Sequence, residues 1–261
     1  MTNNNMIFVA NWKMNGNFSD ISKAKILNKL IKQRKFKRNK VVYCPPYTLI
    51  KSFSDNFKKT NISVGAQNCH HQSEYGAKTG SINCKLIKSS GAKYVIIGHS
   101  ESRIEGETDN LLNKKIQSAI KENLNIIFCI GETLNQKKKK QTSKILKNQL
   151  FNGLRNIKNF KNISIAYEPV WAIGTGIVPK KSELERNMKL IKTYLKKLKR
   201  NNSIKVLYGG SVKPDNASEL SKIKEIEGFL IGGSIRDIIL GIQSTDCDIA
   251  SNAKPEDIES I

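Results

Sequence analysis

The 261 residues include only three histidines, two tryptophans and six prolines, and the acidic side chains are outnumbered two to one by basic ones, 22 against 45. No apolar run reaches the roughly 18 to 20 residues that a membrane-crossing helix needs, which excludes a helical membrane span. The five cysteines (Cys44, Cys69, Cys84, Cys129 and Cys247) are odd in number and show no C-x-x-C spacing. In a chain of this length that excludes a disulfide framework and makes reduced thiols the expectation. Cys69-His70-His71 offers metal-ligating atoms, but no second cluster with ligand spacing completes a site, so a polar loop and no metal are expected there. The first five residues, Met1-Thr2-Asn3-Asn4-Asn5, are polar and lead straight into a β-type run. They lack the charged and apolar regions of a secretory leader, and the expected location is the cytoplasm.

The formal net charge is +23. Such a charge can serve nucleic-acid or membrane binding. Here the lysines are spread along every helical segment, beside abundant Asn and Ile, as codon bias toward A and T produces. The one dense run, Lys137-Lys138-Lys139-Lys140, has no interleaved aromatic residues on which bases could stack, so it is expected to be a solvated face. Neither nucleic acid nor membrane is an expected partner. A positive field would still attract a small phosphorylated anion.

Short β-rich runs alternate with longer helical patterns. The strand candidates are 7–10, 40–43, 62–66, 94–97, 125–130, 163–167, 205–208 and 228–231. Apolar residues at helical spacing fill most gaps, for example Ile21, Ala24, Leu27, Leu30 and Ile31, and then Leu184, Met188, Ile191, Leu195 and Leu198. Eight strands, each followed by a helix or helical turn, predict an α/β chain folded as a single (β/α)8 barrel. An open doubly wound sheet fits less well, because the glycine-rich fingerprint after its first strand is missing. In such a barrel, functional residues lie where strands end. Asn11 and Lys13 follow the first strand, His99 the fourth and Glu168 the sixth. Gly209, Gly210 and Ser211 follow the seventh, and Gly232 and Gly233 the last.

After the sixth strand comes Glu168-Pro169-Val170-Trp171-Ala172-Ile173-Gly174-Thr175-Gly176, a carboxylate followed by a loop with a stiff start, an apolar middle and a small-residue end. An exposed loop carrying Trp and Ile is costly unless it closes onto something, which gives a lid hinged beside a base. On spacing alone the same residues equally describe a buried apolar turn and a strand-end salt bridge. For His99 the alternative is a structural histidine, and for Lys13 a surface lysine.

The stretch resembles the catalytic glutamate and flexible lid of the triosephosphate isomerase family. So, in order, do Asn11-Trp12-Lys13-Met14-Asn15-Gly16, Gly65-Ala66-Gln67-Asn68, Gly98-His99-Ser100-Glu101, Cys129-Ile130-Gly131-Glu132, Tyr208-Gly209-Gly210-Ser211 and Gly228-Phe229-Leu230-Ile231-Gly232-Gly233. The resemblance implies a cofactor-free glycolytic isomerase that interconverts dihydroxyacetone phosphate and glyceraldehyde 3-phosphate through an enediolate. It implies Glu168 as base, His99 as electrophile, and Lys13 and Asn11 beside the developing oxyanion. Gly174, Ser211, Gly232 and Gly233 would bind the phosphate, with Glu101 and Ser100 in support. It also implies a homodimer through the loop tip Ala77-Lys78-Thr79-Gly80, around Thr79. Two positions depart from the pattern: Ser81 stands where an acidic residue is usual, and Ser102 where arginine is usual. Cys129 is a packing residue in the family and is not expected in the site.

After the last strand the resemblance changes. Gly232-Gly233-Ser234-Ile235-Arg236-Asp237, followed by Asp246-Cys247-Asp248, is similar to the start of the head domain of CCA-adding tRNA nucleotidyltransferases and poly(A) polymerases. There an Asp-x-Asp pair holds magnesium. The alternative function is therefore a chimeric or inactive barrel carrying a magnesium- and tRNA-related nucleotidyltransferase fragment. Asp-x-Asp alone is a weak signal, since two-metal chemistry needs a third carboxylate on a rigid platform. Ile235, Ile238, Ile239 and Ile242 are spaced to form one apolar helical face that can close the barrel. The expected organisation is a barrel over residues 1–243 and a C-terminal appendage over 244–261. Deleting residues 245–261 is expected to leave isomerase turnover intact, as checked by a steady-state assay of the shortened chain; loss of folding would contradict that division.

Overall fold

The computed structural model describes residues 5–22, 39–198 and 204–232. The helical pattern expected from Ala24 to Ile31, the phosphate contact expected at Gly233 and the whole tail through Asp246, Asp248 and Ile261 lie outside these residues. Eight strands run β1 Ile7–Asn11, β2 Lys40–Cys44, β3 Ile62–Ala66, β4 Tyr94–Ile97, β5 Asn125–Ile130, β6 Ile163–Tyr167, β7 Lys205–Tyr208 and β8 Gly228–Gly232. Each pairs in parallel with the next, and β8 pairs with β1, so the sheet closes as a barrel in sequence order. The closure carries five paired positions, from Ile7 opposite Gly228 to Asn11 opposite Gly232. All eight strands fall within one residue of the runs expected from sequence. Nothing else is open to them: Val- and Ile-rich segments buried on both faces satisfy their backbone groups only in a sheet covered on both sides.

The strand side chains divide between two cores. Val9, Val42, Ile96, Ile127, Leu207 and Leu230 belong to a cluster made only of strand residues, which is the barrel interior. The intervening residues, such as Ala10, Val41, Tyr43 and Val95, belong to a larger cluster shared with the helices. Because side chains alternate along a strand, the residue two beyond an interior one also points inward. Asn11 is two beyond Val9, and Glu168 two beyond Ala166. Both are polar and buried, and both sit where the strands end.

The described helices are α1 Ile50–Phe57, α2 Cys84–Ser89, α3 Ser100–Ile104, α4 Asp109–Lys121, α5 Leu134–Lys138, α6 Thr142–Gly153, α7 Lys181–Leu198 and α8 Pro214–Leu220. None is long and apolar enough to cross a membrane. Helix α7 buries Leu184, Met188, Ile191 and Leu195, the stripe expected from sequence. Helix α4 begins at Thr108, whose hydroxyl accepts from the Leu111 N–H, and buries Leu112, Ile116 and Ala119. Residues 68–81 contain no helix. Their ends are joined where the His70 N–H donates to the Ile82 carbonyl (2.8 Å). Cys69 is buried in the outer core rather than in a polar loop.

The interior cluster is small and close-packed, so a void there cannot collapse. Leu207→Ala, at a fully buried position of β7, is expected to cost about 2–5 kcal/mol. A lower urea midpoint with an unchanged slope checks it.

Candidate active site

Glu168 leaves β6 with its N–H bonded to the Ile130 carbonyl of β5 (2.8 Å), so its backbone is an extension of the sheet. The residue is 2 % exposed. The chain passes so close to β5 here that a Cβ on Gly131 would lie 1.7 Å from the Glu168 carbonyl oxygen; only glycine fits. One carboxylate oxygen, Oε2, accepts from the Ser100 N–H (3.3 Å). The other, Oε1, is 3.2 Å from His99 Nε2. Burial raises the Glu168 pKa above the ordinary carboxylate value, while His99, the Ser100 N–H, the Cys129 thiol and Lys13 pull it back.

His99 caps α3, a helix of five residues. Gly98 precedes it with φ +76°, a conformation that turns the chain out of β4 and breaks the strand alternation. Arg103 fixes that turn: its Nε donates to the Gly98 carbonyl (2.9 Å), one terminal nitrogen to the Cys129 carbonyl (3.1 Å) and the other to Asp109 (2.8 Å). His99 Nδ1 accepts from the Glu101 N–H (3.3 Å). An Nδ1 that accepts carries no proton, so the neutral ring holds its proton on Nε2, facing Glu168. The Glu101 carboxylate is also 3.3 Å from Nδ1, but Lys13 engages it more closely, Nζ to Oε1 at 2.7 Å.

Lys13 has φ +50°, uncommon for a residue with a side chain. Two amide side chains hold it there. Asn11 Oδ1 accepts from the Lys13 N–H (3.0 Å), and Gln67 Nε2 donates to the Lys13 carbonyl (2.8 Å) and to the Cys44 carbonyl (3.0 Å). The ammonium is thereby aimed across the mouth of the barrel, and its stem passes close to Gly232 at the end of β8.

The loop after Glu168 starts with a short 3-10 turn, Val170–Ala172. Its root is tied down. The Val170 N–H donates to the Glu132 carbonyl (3.0 Å), the Trp171 indole N–H to Glu132 Oε1 (3.0 Å), and the N–H and hydroxyl of Ser211 both donate to the Ala172 carbonyl (3.1 and 2.7 Å). Glu132 is fully buried and takes the Tyr167 hydroxyl as well (3.2 Å); burial raises its pKa. The tip is different: residues 174–177 are exposed, and nothing approaches the Cβ positions of Gly174 and Gly176. Root and tip frame a cleft of about 210 Å³, lined by Asn11, Lys13, His99, Glu168, Gly174, Ser211 and Gly232. That is smaller than the pockets that take drug-sized ligands.

A buried, desolvated carboxylate facing an imidazole N–H, with an ammonium beside them, is the equipment for moving a proton on a small anion. On parallel eight-stranded architecture this defines a (β/α)8 enzyme of the proton-transferring class. Comparison with known proteins narrows it. Residues 6–239 match the model of the family described as triosephosphate isomerase, and residues 228–261 match the poly A polymerase head domain. The triosephosphate isomerase of Thermodesulfovibrio yellowstonii is 39% identical over 233 residues, covering 88% of this chain and 94% of the relative. That of Flavobacterium psychrophilum is 40% identical over 235 residues, covering 87% and 93%. The crystal structure of triosephosphate isomerase from Bartonella henselae superposes with a TM-score of 0.80 at 34% identity, covering 87% of this chain and 92% of that one. The chain belongs to the triosephosphate isomerase family. The two family matches overlap over 228–239, and the first part of that overlap is β8 of the barrel.

Of the residues expected in the site, Asn11, Lys13, His99, Ser100, Glu101 and Glu168 converge, and Gly174, Ser211 and Gly232 ring the same cleft. Ser211 differs in one respect: in this conformation both its donors serve the lid root. Gln67 and Glu132 belong to motifs quoted from the sequence, yet their roles as clamps on Lys13 and on the lid are visible only in three dimensions. Cys129, not expected in the site, places its thiol against Glu168. The lysine run is corrected too. Lys138, Lys139 and Lys140 are exposed, whereas Lys137 is half-buried against Trp171 and Glu183.

A carboxyl whose folded pKa is raised by burial destabilises the fold once it ionises. Its unfavourable contribution is absent below the ordinary value near 4.5 and grows as pH rises through the raised one. Glu168→Gln is therefore expected to be more stable than the parent at pH 8, with the difference shrinking toward pH 4, as thermal unfolding at the two pH values checks.

Proposed function

We propose that this chain interconverts dihydroxyacetone phosphate and glyceraldehyde 3-phosphate by proton transfer through an enediolate. The observation that carries the reading is the pairing of a solvent-free Glu168 carboxylate with His99 Nε2, 3.2 Å from Oε1, in a small cleft of about 210 Å³. Glu168 takes the proton from one carbon of the hydroxyketone and returns it to the neighbouring carbon. Burial raises its basicity toward the working pH. His99 donates Nε2–H to the carbonyl oxygen as negative charge develops there. Lys13 and Asn11 stabilise the same oxygen. Substrate entry separates Glu168 from its resting partners, Ser100 N–H and His99, and leaves a base with fewer stabilising donors.

The phosphate is taken by backbone N–H groups at Gly174, Ser211, Gly232 and Gly233. Neutral donors suffice for that end and leave the Lys13 ammonium to the reacting end. Closure of the lid brings Gly174 down and releases the Ser211 donors from Ala172, shielding the enediolate from water and from loss of phosphate. Proton transfer alone completes the reaction, so the reading calls for no cofactor.

We further propose a cytoplasmic homodimer built on the loop around Thr79. That loop is exposed from Glu74 to Ser81, presents Tyr75 to solvent (62 % exposed), and is held rigid by Asn83, which donates to the Ser73 and Glu74 carbonyls. Met14, next to Lys13, is barer still at 97 %. A rigid loop with an exposed aromatic tip and a bare methionine beside the site suit a self-complementary contact. Residues 1–243 form the working barrel and 244–261 an appendage. The nucleotidyltransferase reading rests on the match over 228–261 alone.

Turnover by the full chain, measured in both directions beside Glu168→Ala, tests the assignment. Loss of about 10²–10⁴-fold in kcat in the variant is expected. A folded parent without turnover, or one that consumes ATP or CTP with magnesium instead, overturns it.

A further inference from the structure

Trp171, at the root of the lid, is gripped on two sides by groups of opposite charge that belong to other elements. Its indole N–H donates to Glu132, just after β5 (3.0 Å). Its ring face carries Lys137, whose Nζ lies 3.3 Å from the ring centroid. Lys137 stands on α5, the short helix that starts at a capping box between Thr133 and Gln136. The ammonium is anchored from behind by Glu183 in the first turn of α7, at 2.9 Å. The contact is therefore no chance encounter of a long side chain with a ring. Three elements converge on it, and its side chain is 29% exposed where its three neighbours in the lysine run stand in solvent.

We propose that Lys137 is a positioning residue for the lid, seated on the face of Trp171 so that the root is held in its open arrangement until a ligand draws the tip down. Meaning is given to "closure" here by the isomerase reading, on which the proposal rests. The physical argument is directional. A cation–π contact depends on the ammonium lying over the ring face, whereas the indole N–H bond to Glu132 lies in the ring plane. Any movement of the 3-10 turn that tilts the ring loses the first and strains the second. The tip beyond it, residues 174–177, is exposed and its Thr175 hydroxyl reaches back to the Trp171 carbonyl (3.2 Å), so the free energy holding the loop open is concentrated at the root. Lys137 also lowers the Glu132 pKa against the effect of burial, which favours the charged form of the acceptor that the indole uses. One cation thus supports both grips.

The chain has only two tryptophans, Trp12 and Trp171, so 5-fluorotryptophan labelling of the full chain gives two fluorine resonances, assigned with Trp171→Phe. The variants are Lys137→Met, which keeps the stem and removes the charge, and Lys137→Arg, which keeps the charge and can stack. The probe is 2-phosphoglycolate, a small ligand with a phosphate at one end and a carboxylate at the other. Lys137→Met is expected to shift the Trp171 resonance of the free protein, leave that of Trp12 in place as a sign of intact folding, and tighten phosphoglycolate binding by about two- to tenfold, since the open state alone has lost a contact of that size. Lys137→Arg is expected to stay near the parent in both readouts. A parent that turns over triose phosphate while Lys137→Met matches it in resonance or in affinity overturns the role of Lys137 and leaves the isomerase reading standing. So does an arginine variant that behaves like methionine. A parent that neither turns over nor binds phosphoglycolate overturns the isomerase reading, and the closure proposal with it.

Discussion

Taking the Glu168 carboxylate out of water is the constraint on which the mouth of the barrel depends. A charge at 2 % exposure is tolerated only where compensating groups are already in place, and the structure supplies them from three strands: His99 and the Ser100 N–H after β4, the Cys129 thiol on β5 and the Lys13 charge after β1. None of these can drift without altering the basicity of the group they face. The closed sheet is what prevents the drift. Each donor sits at the end of a strand whose register is fixed by its neighbours on both sides, so the site inherits the rigidity of the barrel rather than that of the loops that carry it.

A second buried carboxylate plays the complementary part. Glu132 follows β5 and holds the root of the next loop by its carbonyl and its side chain at once, through Val170 and Trp171. Glu168 and Glu132 are thus a pair with divided duties, one facing the cleft and one facing the segment that covers it, both with pKa values raised by burial. Tyr167 lies between them in sequence and bonds to Glu132, with Asn187 of α7 donating to the tyrosine in turn (2.9 Å). The lid root is therefore coupled to the outer helices, while its exposed tip bonds back to the root through the Thr175 hydroxyl and the Trp171 carbonyl (3.2 Å).

Much of this was legible in the chain itself, for a physical reason. Strands buried on both faces must be continuous apolar runs, so all eight were readable from Val and Ile content. Asn11 and Glu168 stood out because they follow predicted strands, where a (β/α)8 barrel places its functional residues. What composition does not carry is orientation. Gln67 sits in a quoted motif, but nothing in its type says that it reaches back to the carbonyl of Lys13, 54 positions away. Lys137 was hidden by its neighbours: four identical residues look alike in sequence, and only packing against Trp171 separates one from the rest. The departure at Ser102 likewise becomes intelligible only in space, where its hydroxyl meets Asn68 (3.4 Å) and the charge of Glu107 is answered by Lys115 on α4 instead.

The closing strand β8 belongs at once to the barrel and to the start of the second family match. With five positions zipped against β1, it is the last piece without which the sheet has two raw edges, on β1 and β7. Open parallel edges recruit other chains, and selection acts strongly against them. A chain ended before Gly228 would therefore leave β1 and β7 as open edges and expose it to aggregation, whereas one that runs through Phe229-Leu230-Ile231-Gly232 leaves every strand with both neighbours. With the barrel sealed at Gly232, whatever follows in sequence has no strand left to supply to the sheet.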